Sequence, residues 1–209
     1  MKKNIKPQVD PDNGKVRYGI DNETGIWYGS EENLAGHMES PQLKEALTSV
    51  FNKKGIKSMY DFGCGLGGYT KHFVDSGINC KGYDGNPDTP KLTNNLCEVL
   101  NLAEKFQFEP LDYVLSLEVG EHIPKEFETT YIENIHNHNT KGCIVSWATL
   151  NPYQGGHGHV NNQDNDYIIA RFTELGYEHD LETQNYIKES IKNHAGFDYL
   201  QNGLMAFSK

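Results

Sequence analysis

The sequence predicts an α/β protein whose single domain is built on one doubly wound, mostly parallel sheet, with helices on both faces and an antiparallel strand near the C-terminus. Short, continuously apolar segments, which are typical of strands buried on both faces, alternate with segments of helical periodicity. A glycine-rich turn joins the first of these strands to the next helix. The length of 209 residues suits one domain.

The first predicted helix begins at the N-cap Ser40, with Pro41 in its first turn, and ends near Gly55. Strands are predicted at 57–62, 79–83, 96–101, 112–117, 143–148, 178–182 and 204–207. Helices are predicted at 67–76, 89–95, 124–138, 164–175 and 184–194. The last two strands are expected to pair antiparallel. Residues 40–209 form the predicted domain, and residues 1–39 form an arm that can serve as a lid over a substrate.

The composition disfavours several classes of function. The net charge is −10, from 29 acidic and 19 basic residues, and only two of the bases, Arg17 and Arg171, are arginines. Broad binding of nucleic acid or anionic lipid needs clustered Lys and Arg, so a nucleic-acid partner is not expected. The sequence has no apolar run of the ~18 residues that span a membrane. No apolar segment follows its basic start, which predicts a cytoplasmic protein.

The four cysteines are far apart in sequence and form no CxxC pair. Most of them stand within apolar stretches. Buried free thiols are therefore expected, rather than a disulfide framework or a zinc site.

The sharpest local signal is the glycine-rich turn, which has the sequence YDFGCGLGGYTKHF. Gly63, Gly65 and Gly67 permit positive φ angles and let a ligand approach the backbone, and the helix after them offers unpaired N–H groups. Asp84 closes the next strand about 20 residues later, where an acid binds ribose hydroxyls. Because Gly63-x-Gly65-x-x-Gly68 also satisfies the dinucleotide pattern, NAD remains open at this point.

Asp61 stands two residues before the first glycine. Together with Asp84 and the glycines, it resembles the S-adenosylmethionine site of the class I methyltransferases, a superfamily with a Rossmann-like fold. The resemblance implies that Asp61 anchors the loop and the amino-acid end of the cofactor, and that Asp84 takes the ribose. Asn101 and Leu102 then lie against the adenine, although that family usually carries aspartate where this chain has Asn101. The implied cofactor-binding residues are Asp61, Gly63, Gly65, Gly67, Asp84, Asn86, Asn101, Leu102 and Glu118.

The segment LDYVLSLEVGEHIPKEF resembles the fourth-strand motif of the small-molecule branch of that superfamily. Its Glu118, Glu121 and His122 form an E-x-x-E-H pattern whose oxygen and nitrogen atoms suit a divalent cation such as Mg²⁺. A similar pattern with a later histidine binds metal in the ubiquinone-pathway O-methyltransferases and in the small-RNA 3′-terminal 2′-O-methyltransferases. The later histidine here is His157 or His159. An acid–base role of His122 without metal and a purely structural role are the alternatives.

Substrate contacts are predicted on two segments. WATLNPYQGGHGHVNN follows the fifth strand and carries Trp147 and His157. WYGSEENLAGH, before the first helix, carries Trp27, Tyr28 and His37 as the opposite wall. Loops that follow neighbouring parallel strands meet at the carboxyl edge of the sheet, so the first of these segments is expected to reach the cofactor cleft.

The catalytic residues are predicted to be Glu121, His122 and His159. They can take a proton from an acceptor hydroxyl or bind a cation that lowers its pKa. His136 and His138, near the end of a predicted helix, are expected to be solvated or to compensate the helix dipole. The remaining histidines outside the motifs are expected to be structural, and they are His72, His179 and His194.

These residues predict transfer of the methyl group of S-adenosylmethionine to an oxygen of a small polar metabolite or sugar. An NAD-dependent oxidoreductase would share the glycine loop, but it would usually carry a separate substrate domain. An RNA 3′-terminal 2′-O-methyltransferase would share E-x-x-E-H, but it should show a basic strip. A non-catalytic binder would have lost the glycines or Asp84. The oligomeric state is not predicted.

Overall fold

The computed structural model describes residues 8–9, 16–17, 19–21, 24–28, 39–151, 154–194 and 196–209. Two short antiparallel strand pairs come first, β1 (Gln8–Val9) with β2 (Val16–Arg17) and β3 (Gly19–Ile20) with β4 (Trp27–Tyr28). The later strands are β5 (Ser58–Phe62), β6 (Asn79–Asp84), β7 (Cys97–Val99), β8 (Leu111–Ser116), β9 (Asn139–Ser146), β10 (Glu178–His179) and β11 (Leu204–Ser208). The helices are α1 (Pro41–Lys54), α2 (Gly68–Asp75), α3 (Thr89–Leu92), α4 (Glu128–Asn137), α5 (Asn165–Glu174), α6 (Leu181–Ile191) and α7 (Asp198–Gly203), with a 3₁₀ turn at Lys125–Phe127 before α4.

Within the described residues, seven strands form the main sheet in the order β10-β11-β9-β8-β5-β6-β7. Five neighbouring strands of this sheet, β9, β8, β5, β6 and β7, run parallel, whereas β11 lies antiparallel between β9 and β10. The predicted sheet and its antiparallel C-terminal pair are confirmed. The strand order reverses between β5 and β8, and the loops that follow these two strands emerge side by side, which is where doubly wound sheets bind ligands.

Helices cover both faces of the sheet, as predicted. On one face, Leu47 and Phe51 of α1 pack with Ile187 of α6. On the other face, Tyr131 of α4 packs in a cluster with Phe172 of α5. All five side chains are at most 1% exposed. Burying such a side chain contributes ~1.5–3 kcal/mol, so this packing gives the loops at the sheet edge a rigid base.

Several elements differ from the prediction in their boundaries, and one helix was missed. The strand expected at 178–182 ends at His179, because the Asp180 carboxylate accepts a hydrogen bond from the Thr183 N–H at 3.0 Å and caps α6. β9 covers Asn139–Ser146 rather than 143–148, since pairing with β8 begins at Asn139. The six-residue helix α7 was not predicted, because a segment this short that ends in Asn and Gly carries little periodicity.

Of the two roles expected for His138, solvation is contradicted, whereas a bond to the carboxyl end of the helix is observed. His138 is 0% exposed. Its Nδ1–H donates to the Asn134 carbonyl at 2.6 Å, and its Nε2 accepts from the Phe108 N–H at 2.9 Å. Its ring stacks on Phe106 with a centroid separation of 4.6 Å. The imidazole therefore joins the end of α4 to the segment before β8.

The expectation for the thiols is confirmed, because all four cysteines, Cys64, Cys80, Cys97 and Cys143, are buried and unbonded. Burial raises the pKa of the Cys80 and Cys143 thiols, so both stay protonated at neutral pH. In the described part of the chain, no helix has the length and apolar character needed to cross a bilayer.

Candidate functional site

A cavity of about 490 Å³ opens where the loops after β5, β6, β8 and β9 meet. Residues 24–27 of the N-terminal segment close one side of it. Most of the predicted site residues line this cavity: Trp27, Asp61, Gly63, Gly65, Asp84, Asn101, Leu102, Glu118, Glu121, His122, His157 and His159. The structure therefore brings the predicted cofactor residues and the predicted catalytic residues to one place.

The glycine loop passes from β5 to α2 in a tight, left-handed path. Gly63, Gly65 and Gly67 have φ angles of 82°, 54° and 75°. A Cβ at Gly63 would overlap the side chain of Val119, so only glycine fits there. The Gly63 and Cys64 N–H groups donate to the carbonyl of the β6 residue Tyr83 at 2.8 and 3.0 Å. These bonds fix the loop against the sheet and leave its outer side to the cavity.

Asp84 holds the far side of the loop. Its Oδ2 accepts from the Gly65 N–H and its Oδ1 from the Asn86 N–H, both at 2.9 Å. The remaining lone pairs of the two oxygens suit the hydroxyls of a diol. Asn86 does not line the cavity: it is 3% exposed, and its side-chain oxygen accepts from the Asp88 N–H at 3.0 Å. Its role is to shape the turn around Asp84, which differs from the predicted adenosine contact.

Asp61 is a buried acid in the cavity wall, 4% exposed. Burial, together with the charge of Asp84, raises the pKa of Asp61 to about 6, although a 2.6 Å hydrogen bond from the Thr70 hydroxyl opposes the shift. A buried carboxylate is stabilised by a cationic partner. This end of the cavity therefore favours a ligand with an ammonium group.

The end of the cavity next to β7 is formed by the turn at Asn101. Its side-chain oxygen accepts from the Ala103 N–H at 3.0 Å, and its amide donates to Glu104 at 2.9 Å. Leu102 is 5% exposed and presents an apolar surface. An apolar wall beside an amide suits a flat heteroaromatic ring.

The two acids of the E-x-x-E-H motif follow β8 through a backbone turn with a φ of 55° at Glu118. The Glu118 N–H donates to the Ser146 hydroxyl at 2.8 Å. Glu121 is 0% exposed, and neither of its carboxylate oxygens has a hydrogen-bond partner among the described residues. Burial and the charge of Glu118 raise the pKa of Glu121 well above its usual range, and burial also raises that of Glu118. Glu118 Oε1 is likewise buried without a hydrogen-bond partner among the described residues.

Histidines complete this end of the cavity. The Nδ1–H of His122 donates to the Gly158 carbonyl at 3.0 Å, which places the lone pair of the neutral ring on Nε2. The rings of His122 and His159 meet edge to face at 4.9 Å. One donor atom from each of Glu121, His122 and His159 lies within 4.8 Å of the other two. Among the described residues, His157 Nε2 and His159 Nδ1 have no hydrogen-bond partner.

The N-terminal segment packs onto these histidines. The Trp27 ring lies edge-on to His122 at 5.2 Å and to His157 at 5.7 Å. A Cβ at Gly25 would overlap the His122 carbonyl, so glycine permits the close approach of the two backbones. Tyr28 does not line the cavity. The predicted substrate residue His37 lies outside the described residues.

Trp147 does not take the position that the sequence predicts for a substrate contact. It is 1% exposed, and its ring packs against Gly120, where a Cβ would overlap it. Its Nε1–H donates to the Asn161 carbonyl at 2.6 Å. The side chain lies beneath the motif, so its contacts are with the protein core. Gly67 likewise lies outside the cavity wall, at the N-cap of α2.

Polar residues of the cavity wall that were not predicted include Thr24, Glu39, Tyr69, Gln154 and Tyr199. Tyr199 lies on the unpredicted helix α7. Burial, and then the charges of Glu118 and Glu121, raise its pKa to about 12, so the phenol is a neutral donor at physiological pH. Glu39 forms an ion pair with Lys44 beside the first turn of α2. Two of them had a local signal, since Tyr69 follows the glycine motif directly and Gln154 stands in the segment expected to contact the substrate.

Comparison with known proteins places these features among methyltransferases. No family model matches the chain. It is 31% identical over 140 residues to the chloroplastic tocopherol O-methyltransferase of Arabidopsis thaliana, which covers 56% of this chain and 40% of that protein. It is 32% identical over 83 residues to the norajmaline N-methyltransferase of Rauvolfia serpentina, which covers 34% of this chain and 28% of that protein. The chain thus spans less than half the length of these curated relatives.

The same fold occurs in the magnesium protoporphyrin IX methyltransferase of Synechocystis with bound SAH. The two structures superpose with a TM-score of 0.61 at 14% sequence identity, over 84% of each chain. At this identity the likeness concerns the fold.

Proposed function

We propose that the chain is a class I S-adenosylmethionine-dependent methyltransferase, which transfers the methyl group of S-adenosylmethionine to an oxygen atom of a small polar molecule. One observation carries the proposal. The glycine loop with Asp84 and the cluster of Glu121 with two histidines face the same cavity. A cofactor site and a site for proton removal therefore lie within reach of one bound pair.

Each part of the cofactor has a proposed partner in the cavity wall. Asp61 receives the ammonium of the methionine part, the two oxygens of Asp84 receive the ribose hydroxyls, and Leu102 packs against the adenine. The loop N–H groups and the first turn of α2 favour the carboxylate. A bound cofactor would supply the methyl group, and Glu118, Glu121 and His122 of the same cavity wall are proposed to face the acceptor.

Residues at the acceptor end activate the acceptor. An alcohol is a weak nucleophile at neutral pH, so its proton has to leave as the carbon–oxygen bond forms. Nε2 of His122 and the carboxylate of Glu121 are the proposed bases, and the raised pKa of Glu121 makes it a stronger base than an ordinary carboxylate. Holding the acceptor oxygen in line with the methyl group contributes up to ~7–11 kcal/mol to lowering the barrier.

The acceptor end also fits a divalent cation such as Mg²⁺. Glu121 has two buried oxygens without a partner in the described part of the chain, and His159 contributes an equally unpartnered nitrogen. With His122, they are the proposed ligands, and Glu118 and His157 lie beside them in the cavity wall. A bound cation would lower the pKa of an acceptor hydroxyl.

The N-terminal residues 1–39 are proposed to act as an arm over the acceptor end of the domain formed by 40–209. The edge-on contacts of Trp27 with His122 and His157 support this role. A large aromatic ring at this place excludes water and narrows the opening for the acceptor.

An RNA 3′ end is the second candidate acceptor, because the E-x-x-E-H pattern and a later histidine also occur in enzymes that methylate it. The net charge of −10 disfavours this candidate. Arg171, one of only two arginines, is bound to the buried carboxylate of Glu128 at 3.1 Å. A small acceptor is therefore preferred.

The cofactor assignment predicts that S-adenosylmethionine binds and NADH does not. Isothermal titration of the full chain with each compound measures this. Asp84→Ala is expected to lose affinity for S-adenosylmethionine, because the ribose hydroxyls and the Gly65 N–H lose their acceptor. Asp88→Ala is the control, since Asp88 is exposed in the same turn. Binding of NADH alone would reject the methyltransferase assignment.

The metal assignment predicts loss of methyl transfer in EDTA and recovery on addition of Mg²⁺ or Mn²⁺. A second readout needs no turnover: titration of the apoprotein with Mn²⁺ should show one site that is lost in His159→Ala. His179→Ala is the control, because His179 lies on β10 and bonds to Gln184 at 2.8 Å. Full activity in chelator, with no Mn²⁺ binding, would leave a proton-transfer role for the cluster instead.

A further inference from the structure

We infer that Asn161 is a positioning residue, which holds the histidine-bearing loop 154–160 on the backbone of Glu121 and is itself held by Glu128. Its effect on turnover rests on the proposed function, whereas its effect on the loop does not. Asn161 lines no part of the cavity and is 3% exposed. Any influence on the acceptor site therefore passes through its neighbours.

Every polar group of Asn161 makes a hydrogen bond. Its backbone N–H and that of Val160 both donate to the Glu121 carbonyl at 2.9 Å. Its own carbonyl accepts from the indole of Trp147, and its side-chain oxygen accepts from the Gln163 amide, both at 2.6 Å. Its side-chain amide donates to Glu128 at 2.9 Å. Buried polar groups that are all satisfied hold one geometry, because each unmade bond would leave a desolvated group without a partner.

Glu128 anchors this arrangement to the helical layer. Its side chain is 1% exposed and also receives the Tyr167 hydroxyl at 2.6 Å, the Lys125 ammonium at 2.9 Å and Arg171 at 3.1 Å. Burial alone would raise the pKa of Glu128, but the hydrogen bonds from Tyr167, Lys125 and Asn161 outweigh it and hold that pKa below the usual range. Glu128 is therefore a fixed, ionised acceptor to which the Asn161 amide is bound.

The loop is held at its start by Gln154, whose side chain bonds to the Thr149 N–H and the Tyr199 carbonyl, and in its middle by the bond of Gly158 to His122. It contains Gly155, Gly156 and Gly158, which lose more backbone entropy on ordering than other residues. Its internal backbone bonds include His159 N–H to the Gly156 carbonyl at 3.2 Å. The bonds of Val160 and Asn161 to Glu121, together with the bond of the Gly158 carbonyl to His122, fix His157 and His159 relative to the E-x-x-E-H motif. Trp147 packs under Gly120 and secures the same point from below.

The inference is tested with Asn161→Ala and the milder Glu128→Gln, measured by hydrogen–deuterium exchange of the full chain. Amides of 155–161 are expected to exchange about tenfold faster in Asn161→Ala, with the sheet peptides unchanged. The controls are Asn137→Ala and Glu126→Gln, whose residues are exposed on or beside α4. Unchanged exchange in the loop overturns the inference, and so does an equal rise throughout the domain, which would mean a general loss of stability. If Asn161→Ala does not fold, Glu128→Gln decides by the same readout.

The catalytic part is tested on the same variants by separating turnover from cofactor affinity. Turnover is expected to fall about tenfold to a hundredfold, because small misplacements of reacting groups have effects of this size. The affinity for S-adenosylmethionine should be unchanged. Faster loop exchange with normal turnover would overturn the catalytic role of the positioning. A wild-type chain with no methyl transfer at all would refute the proposed function, while the exchange data would still decide whether Asn161 holds the loop.

Discussion

Glu121→Gln is expected to lower methyl transfer by about 10²- to 10⁴-fold, which is the range for removal of a catalytic proton acceptor. Glutamine keeps the shape of the side chain but can neither take a proton nor neutralise a cation. The cofactor affinity should not change, because Glu121 is not among the residues assigned to the cofactor. Transfer of a tritiated methyl group from S-adenosylmethionine into a small-metabolite extract measures the effect.

The stability of the same variant separates this loss from misfolding. Glu121 is fully buried and its oxygens have no partner among the described residues, so a neutral amide of the same shape is no harder to bury. The melting temperature of Glu121→Gln should therefore not fall. Glu126→Gln, an exposed substitution with the same change of charge, should leave both turnover and stability as they are. Wild-type turnover in Glu121→Gln would remove this carboxylate from the mechanism.

The affinity for S-adenosylmethionine is expected to weaken roughly tenfold per pH unit below about pH 6, since each pKa unit corresponds to about 1.4 kcal/mol. Asp61 binds its proton in the empty cavity with a pKa of about 6, and the cofactor ammonium prefers the ionised carboxylate. Above this pH the affinity should level off. Titration calorimetry from pH 5 to pH 8 measures the profile. Asp61→Asn should bind more weakly at neutral pH and lose this pH dependence, whereas the exposed Asp75→Asn should keep it.

The stability of the ligand-free chain should show the opposite trend. The folded chain holds the Asp61 proton more tightly than the unfolded chain, where the pKa has its ordinary value of 3.8. The resulting stabilisation, about 3 kcal/mol, is complete below about pH 4 and is lost as the pH rises to about 6. Asp61→Asn should flatten this part of the stability curve. An unchanged curve would mean that Asp61 is not the group that titrates there.

That Gly63, Gly65 and Asp84 line one cavity could be predicted because their signals are local. Gly63, Gly65 and Asp84 lie within one strand–helix–strand unit, and their roles follow from backbone conformation and from the edge at which parallel strands end. The order of strands and helices was predictable for the same reason, since the hydrophobic periodicity of each segment indicates its type. The acids Glu118 and Glu121 also stand within one short motif.

The remaining features depend on contacts between distant segments. Trp147 and His157 belong to the same polar segment of the sequence, yet Trp147 lies in the core and His157 lines the cavity. β9 ends at Ser146, and the next residue, Trp147, packs against Gly120. Tyr199 reaches the acids from a helix too short to show periodicity. The burial of His138 could not be predicted from its sequence neighbours, because its Nε2 bonds to the backbone N–H of the distant residue Phe108. Such contacts cannot be inferred from the spacing of residues in the sequence.

The position of β11 has a consequence for the synthesis of the protein. Its residues 204–208 pair with 142–146 of β9, about 60 residues earlier, and a ribosome takes roughly 3 to 12 seconds to add that many. During this interval β9 is an open edge whose N–H and C=O groups can pair with another nascent chain. The half of the sheet that holds the glycine loop and the E-x-x-E-H motif is already translated by then. Until β11 is made, β9 is therefore the strand to which a chaperone, or a neighbouring nascent chain on the same polysome, would bind.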